Sequence, residues 1–323
     1  MKTVKIEKFG GPEVLQIQNI EINRPKSNEV LIKNLSIGIN FIDTYNRTGL
    51  YPVPLPSGIG LEACGIIEEG GGDVRLFKIG DRGSRASAPI GAYSEKQIVP
   101  ENKLVLVPNE VSNEIASCIT LKGITAEYLL HRAYPLKKGD KILYHAAAGG
   151  LGQILCAWAN SMGAKVIGTV GSKEKEEIAK KNGCHHVINY SETNFVEEVE
   201  KIVGKNGIDV VYDGVGLTTF EGSIEVLKIR GMMVAFGNAS GYVDTIDVKK
   251  HINAKGLFFT RPSIAHYTIE REELEESAKK VFEAVLSGKF KIEISKKYSL
   301  DEVRQAHKDL EGRLLTGPAV IIP

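Results

Sequence analysis

The chain has 323 residues, of which 42% are hydrophobic and 25% charged, a composition typical of a globular protein rather than a disordered, fibrous or membrane protein. A chain of this length exceeds the size at which one hydrophobic core usually keeps growing, so we expect two domains. Its 41 basic and 40 acidic residues leave a formal charge of +1 at pH 7, which provides no overall field to attract nucleic acid or an anionic membrane. We therefore expect no nucleic-acid partner.

The chain carries no signal for a membrane or a secreted location. No stretch reaches the roughly 18 to 20 apolar residues that a membrane helix needs. The first nine residues alternate charged and apolar side chains and do not form the apolar segment of a signal peptide. We therefore expect a cytoplasmic protein with no membrane partner. The four cysteines are widely spaced and form no Cys-x-x-Cys pair, which indicates neither a zinc lobe nor a redox dithiol.

The first hundred residues predict short strands that glycine and proline interrupt, as in a small β-rich barrel. The predicted strands are Val4–Phe9, Val30–Ile39 and Ala63–Glu68. A single helix is expected over Asn40–Arg47, ending near Gly49. This helix would place Asn40, Asp43 and Tyr45 beside the mouth of the barrel.

From Lys141 onward the pattern changes to strands and helices in alternation, with a glycine after most helices. The predicted strands are Lys141–His145, Lys165–Val170, His186–Tyr190, Ile208–Asp213, Met232–Gly237 and Leu257–Thr260. The predicted helices are Gly150–Met162, Lys173–Asn182, Phe195–Val203 and Thr218–Ile229. Such repetition predicts a parallel, doubly wound sheet.

The last sixty residues predict a return to mixed structure. A long amphipathic helix is expected over Glu270–Leu286, followed by a strand around Lys291–Ser295. Ser299 and Glu302 have the spacing of a capping box at the start of a further helix. The last strand, Ala319–Ile322, is apolar and β-branched, and we expect it to pair within the first domain.

The strongest local motif is the segment His145–Gly152, which follows an apolar strand and opens a helix. A pyrophosphate needs backbone N–H groups directed at it and no side chain in the way, and glycines at a helix N-terminus meet both demands. The usual Gly-x-Gly-x-x-Gly pattern occurs here as Ala147-x-Gly149-x-x-Gly152. A purely structural turn is the alternative, but among five strand-helix units we favour dinucleotide binding.

The choice between the two nicotinamide dinucleotides depends on the end of the second strand of this sheet. An NAD site places Asp or Glu about 20 residues after the glycines, to accept the ribose hydroxyls. This sequence has no acid there and instead offers Gly171, Ser172, Lys173 and Lys175. Lysines at a helix N-terminus oppose its dipole unless an anion compensates, so the pattern favours the 2′-phosphate of NADPH, with Lys175 as its ion pair. The alternative is that these lysines are simply solvated.

Six segments of the chain carry a resemblance to a known family. They are Gly10–Leu15, Gly38–Asp43, Arg47–Tyr51, His145–Gly152, Phe236–Asn238 and Thr260–Ser263. The chain resembles the NADPH:quinone oxidoreductases of the zeta-crystallin type, which are zinc-free members of the medium-chain dehydrogenase/reductase superfamily. The resemblance implies an α/β fold in which residues 1–124 and 261–323 form a GroES-like β-rich catalytic domain. Residues 125–260 would then form a Rossmann domain with a doubly wound parallel sheet.

The resemblance also implies the residues of the site. Asn40, Tyr45 and Tyr51 would line the nicotinamide pocket and are the expected catalytic residues. Tyr190 would stack on adenine, and Arg313 would close over the adenosine phosphate. With Asn40, the expected NADPH-binding residues are Thr125, Gly149, Gly150, Leu151, Gly152, Gly171, Ser172, Lys175, Tyr190, Phe236, Gly237, Asn238, Phe259, Arg261 and Arg313.

No metal is expected. Zinc-dependent relatives hold their catalytic metal with Cys, a Gly-His-Glu segment and a later Cys, whereas Asn40 and Gly60-Leu61-Glu62 stand in the matching segments here. A structural zinc lobe would need closely spaced cysteines, and the sequence has none. Glu62 has two open interpretations, a structural carboxylate bonded to backbone or a catalytic acid. One departure from the family is Gly214, where these enzymes often have serine.

The resemblance implies hydride transfer from NADPH to a quinone or a conjugated carbonyl, in a cleft between the two domains. Without zinc, polarisation of the acceptor must come from hydrogen-bond donors such as Tyr51 and Asn40. Two alternatives stay open, an enoyl or enone reductase and an NADPH-binding structural or RNA-associated protein with secondary catalysis. A homodimer is also implied, joined edge to edge through Gly256–Thr260.

Overall fold

The computed structural model describes residues 1–323. The first part of the chain forms eight strands and two α-helices. They are β1 (Lys2–Ile6), β2 (Gln16–Asn19), β3 (Glu29–Gly38), α1 (Phe41–Thr48), β4 (Ser57–Gly58), β5 (Glu62–Gly70), β6 (Arg82–Arg85), β7 (Lys96–Pro100), β8 (Leu104–Leu106) and α2 (Asn113–Tyr128). The three strands and the helix that the sequence predicts here are therefore confirmed, with shifts of a few residues at their ends.

The middle of the chain alternates strands and helices, as the sequence predicts. The elements are β9 (Lys141–His145), α3 (Gly150–Ser161), β10 (Lys165–Val170), α4 (Lys173–Lys181), β11 (His186–Asn189), α5 (Phe195–Val203), β12 (Ile208–Asp213), α6 (Phe220–Val226), β13 (Leu227–Ala235) and β14 (Phe258–Thr260). The last part adds α7 (Arg271–Leu286), β15 (Lys296–Ser299), α8 (Val303–Glu311) and β16 (Ala319–Ile322). Four short 3-10 turns and two π turns connect these elements.

The chain divides into two compact units. The first comprises Met1–Ile124, Thr268–Leu286 and Ile292–Pro323, and the second comprises Thr125–Tyr267 and Ser287–Lys291. Tyr267 ends the long segment of the second unit, and its ring stacks on Tyr128 with a centroid distance of 4.5 Å. The backbone carbonyl of Tyr267 also accepts a hydrogen bond from Arg132 Nη2 at 2.8 Å.

The first unit contains two sheets around an apolar core. One sheet has the order β15-β16-β3-β5-β6-β8, with β7 on β3, and the other has the order β2-β1-β4. The C-terminal strand β16 pairs antiparallel with β3 and parallel with β15. Pairing of the chain's last strand within the first unit is therefore confirmed. Alternating side chains such as Val30 and Ile32 of β3 are wholly buried, as a strand with one face on a core requires.

The second unit is built on one six-stranded sheet in the order β11-β10-β9-β12-β13-β14. Every neighbouring pair in it is parallel, which confirms the predicted doubly wound parallel sheet. The central strands β9 and β12 are buried along most of their length, since helices cover both faces of such a sheet. The strand order reverses between β9 and β12, and in open sheets of this kind ligands bind beyond the carboxyl ends of the strands at that reversal.

Two predicted elements differ from the structure, and one observed helix was not predicted. The helix predicted over Thr218–Ile229 is wrong beyond Val226, because the buried Leu227 already pairs with Ile208 as the first residue of β13. The strand predicted around Lys291–Ser295 is wrong, because the paired residues are Lys296–Ser299, in register with Ala319–Ile322. Helix α2 was not predicted because it is buried on nearly all sides and shows no one-sided apolar period.

None of the helices combines the length and the apolar character that crossing a membrane would need.

Candidate functional site

The glycine-rich turn joins β9 to α3 in the second unit. Helix α3 begins at Gly150, and Gly149 in the N-cap position provides no side-chain cap. The first N–H groups of an α-helix have no acceptor within the helix, so those of Gly150, Leu151 and Gly152 are left for a ligand or for water. The dipole of the twelve-residue helix adds attraction for an anion at this end.

Gly152 is required by the turn itself. A Cβ atom at this position would lie 2.6 Å from the carbonyl oxygens of Ala146 and Ala147. At Gly149, by contrast, a Cβ would meet only Ala146 O, at 3.2 Å, so that face of the turn is otherwise open. The left-handed residue of the turn is Ala146, with φ 62°, and not Ala147, so alanine at the family's first glycine position adds no strain there. The turn therefore fits a diphosphate group.

The end of β10 forms a second small cradle. Tyr190 lies over Gly171 so closely that a Cβ at Gly171 would stand 2.6 Å from the Tyr190 hydroxyl. Ser191 Oγ donates to the Gly171 carbonyl at 3.0 Å, which fixes this crossing of the two segments. Ser172 is the N-cap of α4 without a side-chain cap bond, and Lys175 lies in its first turn. The structure thus brings Gly171, Ser172, Lys175 and Tyr190 together at one end of the sheet.

The carboxyl ends of β12 and β13 meet in two tight turns. The buried Asp213 carboxylate holds the first turn, since its Oδ1 accepts the N–H groups of Val215 and Gly216 at 2.8 and 2.9 Å. A Cβ at Gly214 would lie 2.9 Å from the Phe236 ring, so the departure to glycine at position 214 makes room for that ring. A Cβ at Gly237 would in turn lie 2.4 Å from Gly214 O. Phe236 and Gly237, both predicted to bind the cofactor, therefore pack closely against the turn that Asp213 holds.

A pocket of about 230 Å³ opens beside these turns. Four residues expected from the sequence line it, namely Gly237, Asn238, Phe259 and Arg261. Its remaining wall is mostly apolar: Gly216, Phe220, Met233, Ala235, Tyr242, Val243 and Ile246. Arg261 Nη1 donates to the carbonyl of Ala235 at 3.0 Å, which directs its guanidinium along the end of β13. An apolar pocket with a few polar groups is the usual form of a small-molecule site.

In the first unit, the Asn40 side chain lies between two buried charged groups. Its Nδ2 donates to Glu62 Oε2 at 2.8 Å, and its Oδ1 accepts from Lys122 Nζ at 2.7 Å. Glu62 Oε1 accepts the backbone N–H of Leu121 at 2.7 Å. Burial raises the pKa of Glu62, while the Lys122 ammonium and the Asn40 amide oppose that rise. Glu62 therefore has the backbone bond that a structural carboxylate would have.

A second buried chain of hydrogen bonds leads away from Asn40. Asp43 Oδ2 accepts from Asn40 N at 2.9 Å and from the Tyr93 hydroxyl at 2.8 Å. The Tyr93 hydroxyl lies 3.3 Å from Nε2 of His307, whose Nδ1 is 2.9 Å from Arg47 Nη1. Burial raises the pKa of Asp43 to about 7, and burial together with the Arg47 charge lowers the pKa of His307 to about 3. His307 is therefore neutral at pH 7, accepting from Arg47 and donating toward Tyr93.

The other expected residues occupy more varied surroundings. Tyr45 is buried and meets Tyr51 edge to face at a centroid distance of 5.1 Å, while Tyr51 is only half-buried. Thr125 is buried in the second unit, and its side chain forms a hydrogen bond with the Tyr128 hydroxyl. Arg313 is exposed in the first unit, with a left-handed φ of 59°. No group of three or more His, Cys, Asp and Glu side chains is placed to hold a metal ion.

Models of two domain families match the chain. The alcohol dehydrogenase GroES-like domain matches residues 26–109, and the zinc-binding dehydrogenase domain matches residues 150–285. Quinone oxidoreductase 1 of Escherichia coli is 44% identical over 324 residues, which cover 99% of this chain and 99% of that protein. The chain belongs to the quinone oxidoreductase family. The resemblance that the sequence indicates is thus confirmed, and with it the GroES-like and Rossmann fold class.

Two further relatives show the range of this quinone oxidoreductase family. 2-Haloacrylate reductase of a Burkholderia species is 42% identical over 326 residues, and 98% of each chain is covered. The crystal structure of Escherichia coli quinone oxidoreductase complexed with NADPH matches with a TM-score of 0.98 at 43% identity and covers 100% of both chains. The chain is therefore an oxidoreductase whose fold agrees with that of a quinone oxidoreductase over its full length.

Sequence reasoning missed two buried polar groupings of the first unit. Lys122 was not predicted as a buried charge. The signal that could have indicated it is a lone lysine among the apolar residues Ile119, Leu121 and Ile124. The chain of Asp43, Tyr93 and His307 joins residues more than 200 positions apart, which no local pattern could have indicated.

Proposed function

We propose that this protein reduces quinones, or closely related conjugated carbonyl compounds, with NADPH. The observation that carries the proposal is the uncapped helix N-terminus at Gly149–Gly152 beside a second cradle, which contains Ser172 and Lys175 and has no acid at the end of β10. The close relationship to quinone oxidoreductases supports the same reaction, since one such relative has been crystallised with NADPH. When bound, NADPH supplies a hydride from C4 of its nicotinamide ring, and the protein supplies binding and orientation.

The residues have separate proposed roles. Gly149, Gly150, Leu151 and Gly152 would bind the diphosphate through backbone N–H groups. Gly171, Ser172 and Lys175 would bind the 2′-phosphate, and Tyr190 would cover the adenine. Gly237, Asn238, Phe259 and Arg261 would surround the nicotinamide end, because they line the pocket beside the carboxyl ends of β13 and β14. Phe236, which directly follows β13, would join them. Thr125 and Arg313 complete the proposed set.

We assign polarisation of the acceptor oxygen to Tyr51. Tyr51 is half-buried, whereas Tyr45 is buried against it and both polar atoms of the Asn40 amide already bond to Glu62 and Lys122. A phenol is a hydrogen-bond donor at neutral pH, and one such donor suffices for an electron-poor acceptor such as a quinone. Tyr45 and Asn40 would then set the shape of the pocket around it.

A titration followed by an acceptor screen tests the proposal. Calorimetry should show NADPH binding more tightly than NADH, and the purified protein should oxidise NADPH when 1,4-naphthoquinone is added. Tighter binding of NADH would overturn the assignment of the second cradle. Failure to oxidise NADPH with any of several benzoquinones and naphthoquinones would overturn the reaction.

A second candidate reaction is reduction of a conjugated carbon-carbon double bond. The observation in its favour is the 2-haloacrylate reductase that is 42% identical to this chain across 98% of its length. The two reactions share the hydride donor and differ in the acceptor, so a side-by-side assay with naphthoquinone, 2-chloroacrylate and crotonyl thioester separates them. A higher kcat/KM for 2-chloroacrylate or for the crotonyl thioester than for naphthoquinone would favour reduction of a carbon-carbon double bond.

We also propose a cytoplasmic homodimer. Strand β14 lies at the edge of the parallel sheet, and its Phe258 is 58% exposed, which leaves unpaired backbone groups and an apolar ring for a second copy. Light scattering should give twice the chain mass, and Phe258→Asp should give monomer, while Ile79→Asp on the other unit should change nothing. A monomeric wild-type protein would overturn the dimer, and recovery in the membrane fraction of lysed cells would overturn the location.

A further inference from the structure

Three side chains from distant parts of the sequence form a closed polar cluster in the first unit. Asn40 lies between β3 and α1, Glu62 begins β5, and Lys122 lies in α2. They are 4%, 0% and 7% exposed. We call these three residues the buried charge cluster. Its contacts are tight because α2 crosses β3 at Gly38, where a Cβ would stand 2.0 Å from Ser117 O and 2.4 Å from Glu62 Oε2.

The ammonium of Lys122 is fully used inside the protein. It donates to Asn40 Oδ1 at 2.7 Å, to the Ile39 carbonyl at 3.2 Å and to Glu62 Oε2 at 3.3 Å. A lysine has three N–H donors, so these three oxygens replace its water. Taking such an ion pair out of water costs several kcal/mol per ion, and replacement by apolar residues is often neutral or stabilising. Stability alone therefore does not explain a lysine at this position.

The two charges act on Asn40 in the same direction. The carbonyl oxygen of its amide faces the ammonium, and its NH₂ group faces the carboxylate. If the amide turned over, the NH₂ group would meet the ammonium and the oxygen would meet the carboxylate, and both contacts would be repulsive. Neutral donors and acceptors would also orient an asparagine amide, but more weakly than two charges do. The cluster therefore holds one orientation of this amide.

We propose that Lys122 is a positioning residue of the active site, which holds the Asn40 amide in one orientation and balances the charge of Glu62. The inference rests on the proposed function, because it matters to catalysis only if Asn40 borders the nicotinamide and its acceptor. Asn40 and Glu62 both contact the ammonium, through Oδ1 and Oε2 respectively. Here an ammonium supplied by α2 provides the fixed positive charge between them.

The test separates orientation from stability. Lys122→Met removes the ammonium and leaves Glu62 without its partner, so it should lower both stability and kcat/KM. The double variant Glu62→Gln/Lys122→Met removes both charges and should unfold at nearly the wild-type urea concentration. Its kcat/KM for naphthoquinone should stay about 10- to 100-fold low, the loss expected when a group at the reacting centre is misplaced. Lys279→Met, on an exposed position of α7, is the matched control and should behave as wild type.

Recovery of both stability and kcat/KM in the double variant would overturn the proposal, since a merely structural pair would behave that way. Lys122→Arg keeps a cation and should recover part of the lost kcat/KM. A second readout does not depend on turnover: the side-chain amide resonance of Asn40, in protein labelled with ¹⁵N-asparagine and assigned with Asn40→Ser. This resonance should shift in both Lys122→Met variants and stay in place in Lys279→Met. An unmoved resonance overturns the inference, whereas an inactive wild-type protein would overturn only the proposed function.

Discussion

The turn at residues 146–152 leaves backbone N–H groups open for a ligand, whereas the buried charge cluster pairs its polar groups with one another, and the two are built from different parts of the chain. The turn uses backbone N–H groups and needs only that side chains be absent, as the 2.6 Å approach at Gly152 shows. The cluster uses side chains that are 0–7% exposed and need one another for charge balance. The turn should therefore respond to added volume and the cluster to altered charge.

The largest effect should follow from removing one charge of the cluster. Glu62→Ala leaves the Lys122 ammonium buried without its carboxylate, which should lower the free energy of unfolding by about 3–5 kcal/mol. Urea denaturation measures it. The control is Glu68→Ala, whose carboxylate pairs with Lys96 at 2.6 Å at about one-third exposure and should cost about 1 kcal/mol or less. Equal losses in the two variants would contradict the role of burial.

The next effect concerns Asp43, which borders the cluster. Burial raises the pKa of Asp43 from 3.8 to about 7 in the folded state, so the unfolded chain ionises first and stability falls as the pH rises between these values. The Asp43→Asn side chain cannot ionise. As the pH rises over this range, the free energy of unfolding of the variant should therefore increase relative to that of wild type, by about 4 kcal/mol at most. Unfolding curves at pH 4, 5.5 and 7 measure the difference. Asp301→Asn, at an exposed carboxylate, should show no such pH dependence. The same pH dependence in both variants would contradict burial as its cause.

The turn should show a steric effect that is independent of pH. Gly152→Ala places a Cβ 2.6 Å from two carbonyl oxygens, so the turn must widen and its N–H groups must move. Overpacking strain of about 1–3 kcal/mol corresponds to NADPH affinity about tenfold to a hundredfold weaker, measured by calorimetry. Gly149→Ala should cost less because its Cβ meets one atom at 3.2 Å, and Gly72→Ala, with no atom within 4 Å, should cost nothing. A larger loss of NADPH affinity in Gly149→Ala than in Gly152→Ala would contradict this steric explanation.

The smallest expected effect is a loss of NADPH affinity on substitution of Lys175 in the second cradle. Lys175→Met should weaken NADPH binding about tenfold and leave NADH binding unchanged, because a charge-assisted bond to the 2′-phosphate is lost and only NADPH has that phosphate. Fluorescence titration with both nucleotides measures the ratio. Lys279→Met serves as the control for a lysine remote from the turn. An equal loss for both nucleotides would place Lys175 at the diphosphate or would make its effect indirect.

Much of the second unit could be predicted because its signals are local. Strands β9, β10 and β12 and helix α5 begin and end at the predicted residues, since apolar runs and glycines mark their limits. The turn before α3 could be located for the same reason, because a phosphate turn depends on glycines that are close in the sequence. The end of α6 was missed because pairing of Leu227 with Ile208, a tertiary contact, overrides the helical pattern.

By itself the sequence determined the fold class, the glycine-rich turn and the family, since all three depend on periodicity and on short runs of residues. Only the tertiary structure placed Lys122 against Asn40 and Glu62, and His307 within reach of Tyr93. The physical reason is that a buried charge is tolerated only where partners from other segments replace its water. Which segments meet is decided by the packing of α2 on β3 and by the return of the C-terminal strand to the first unit.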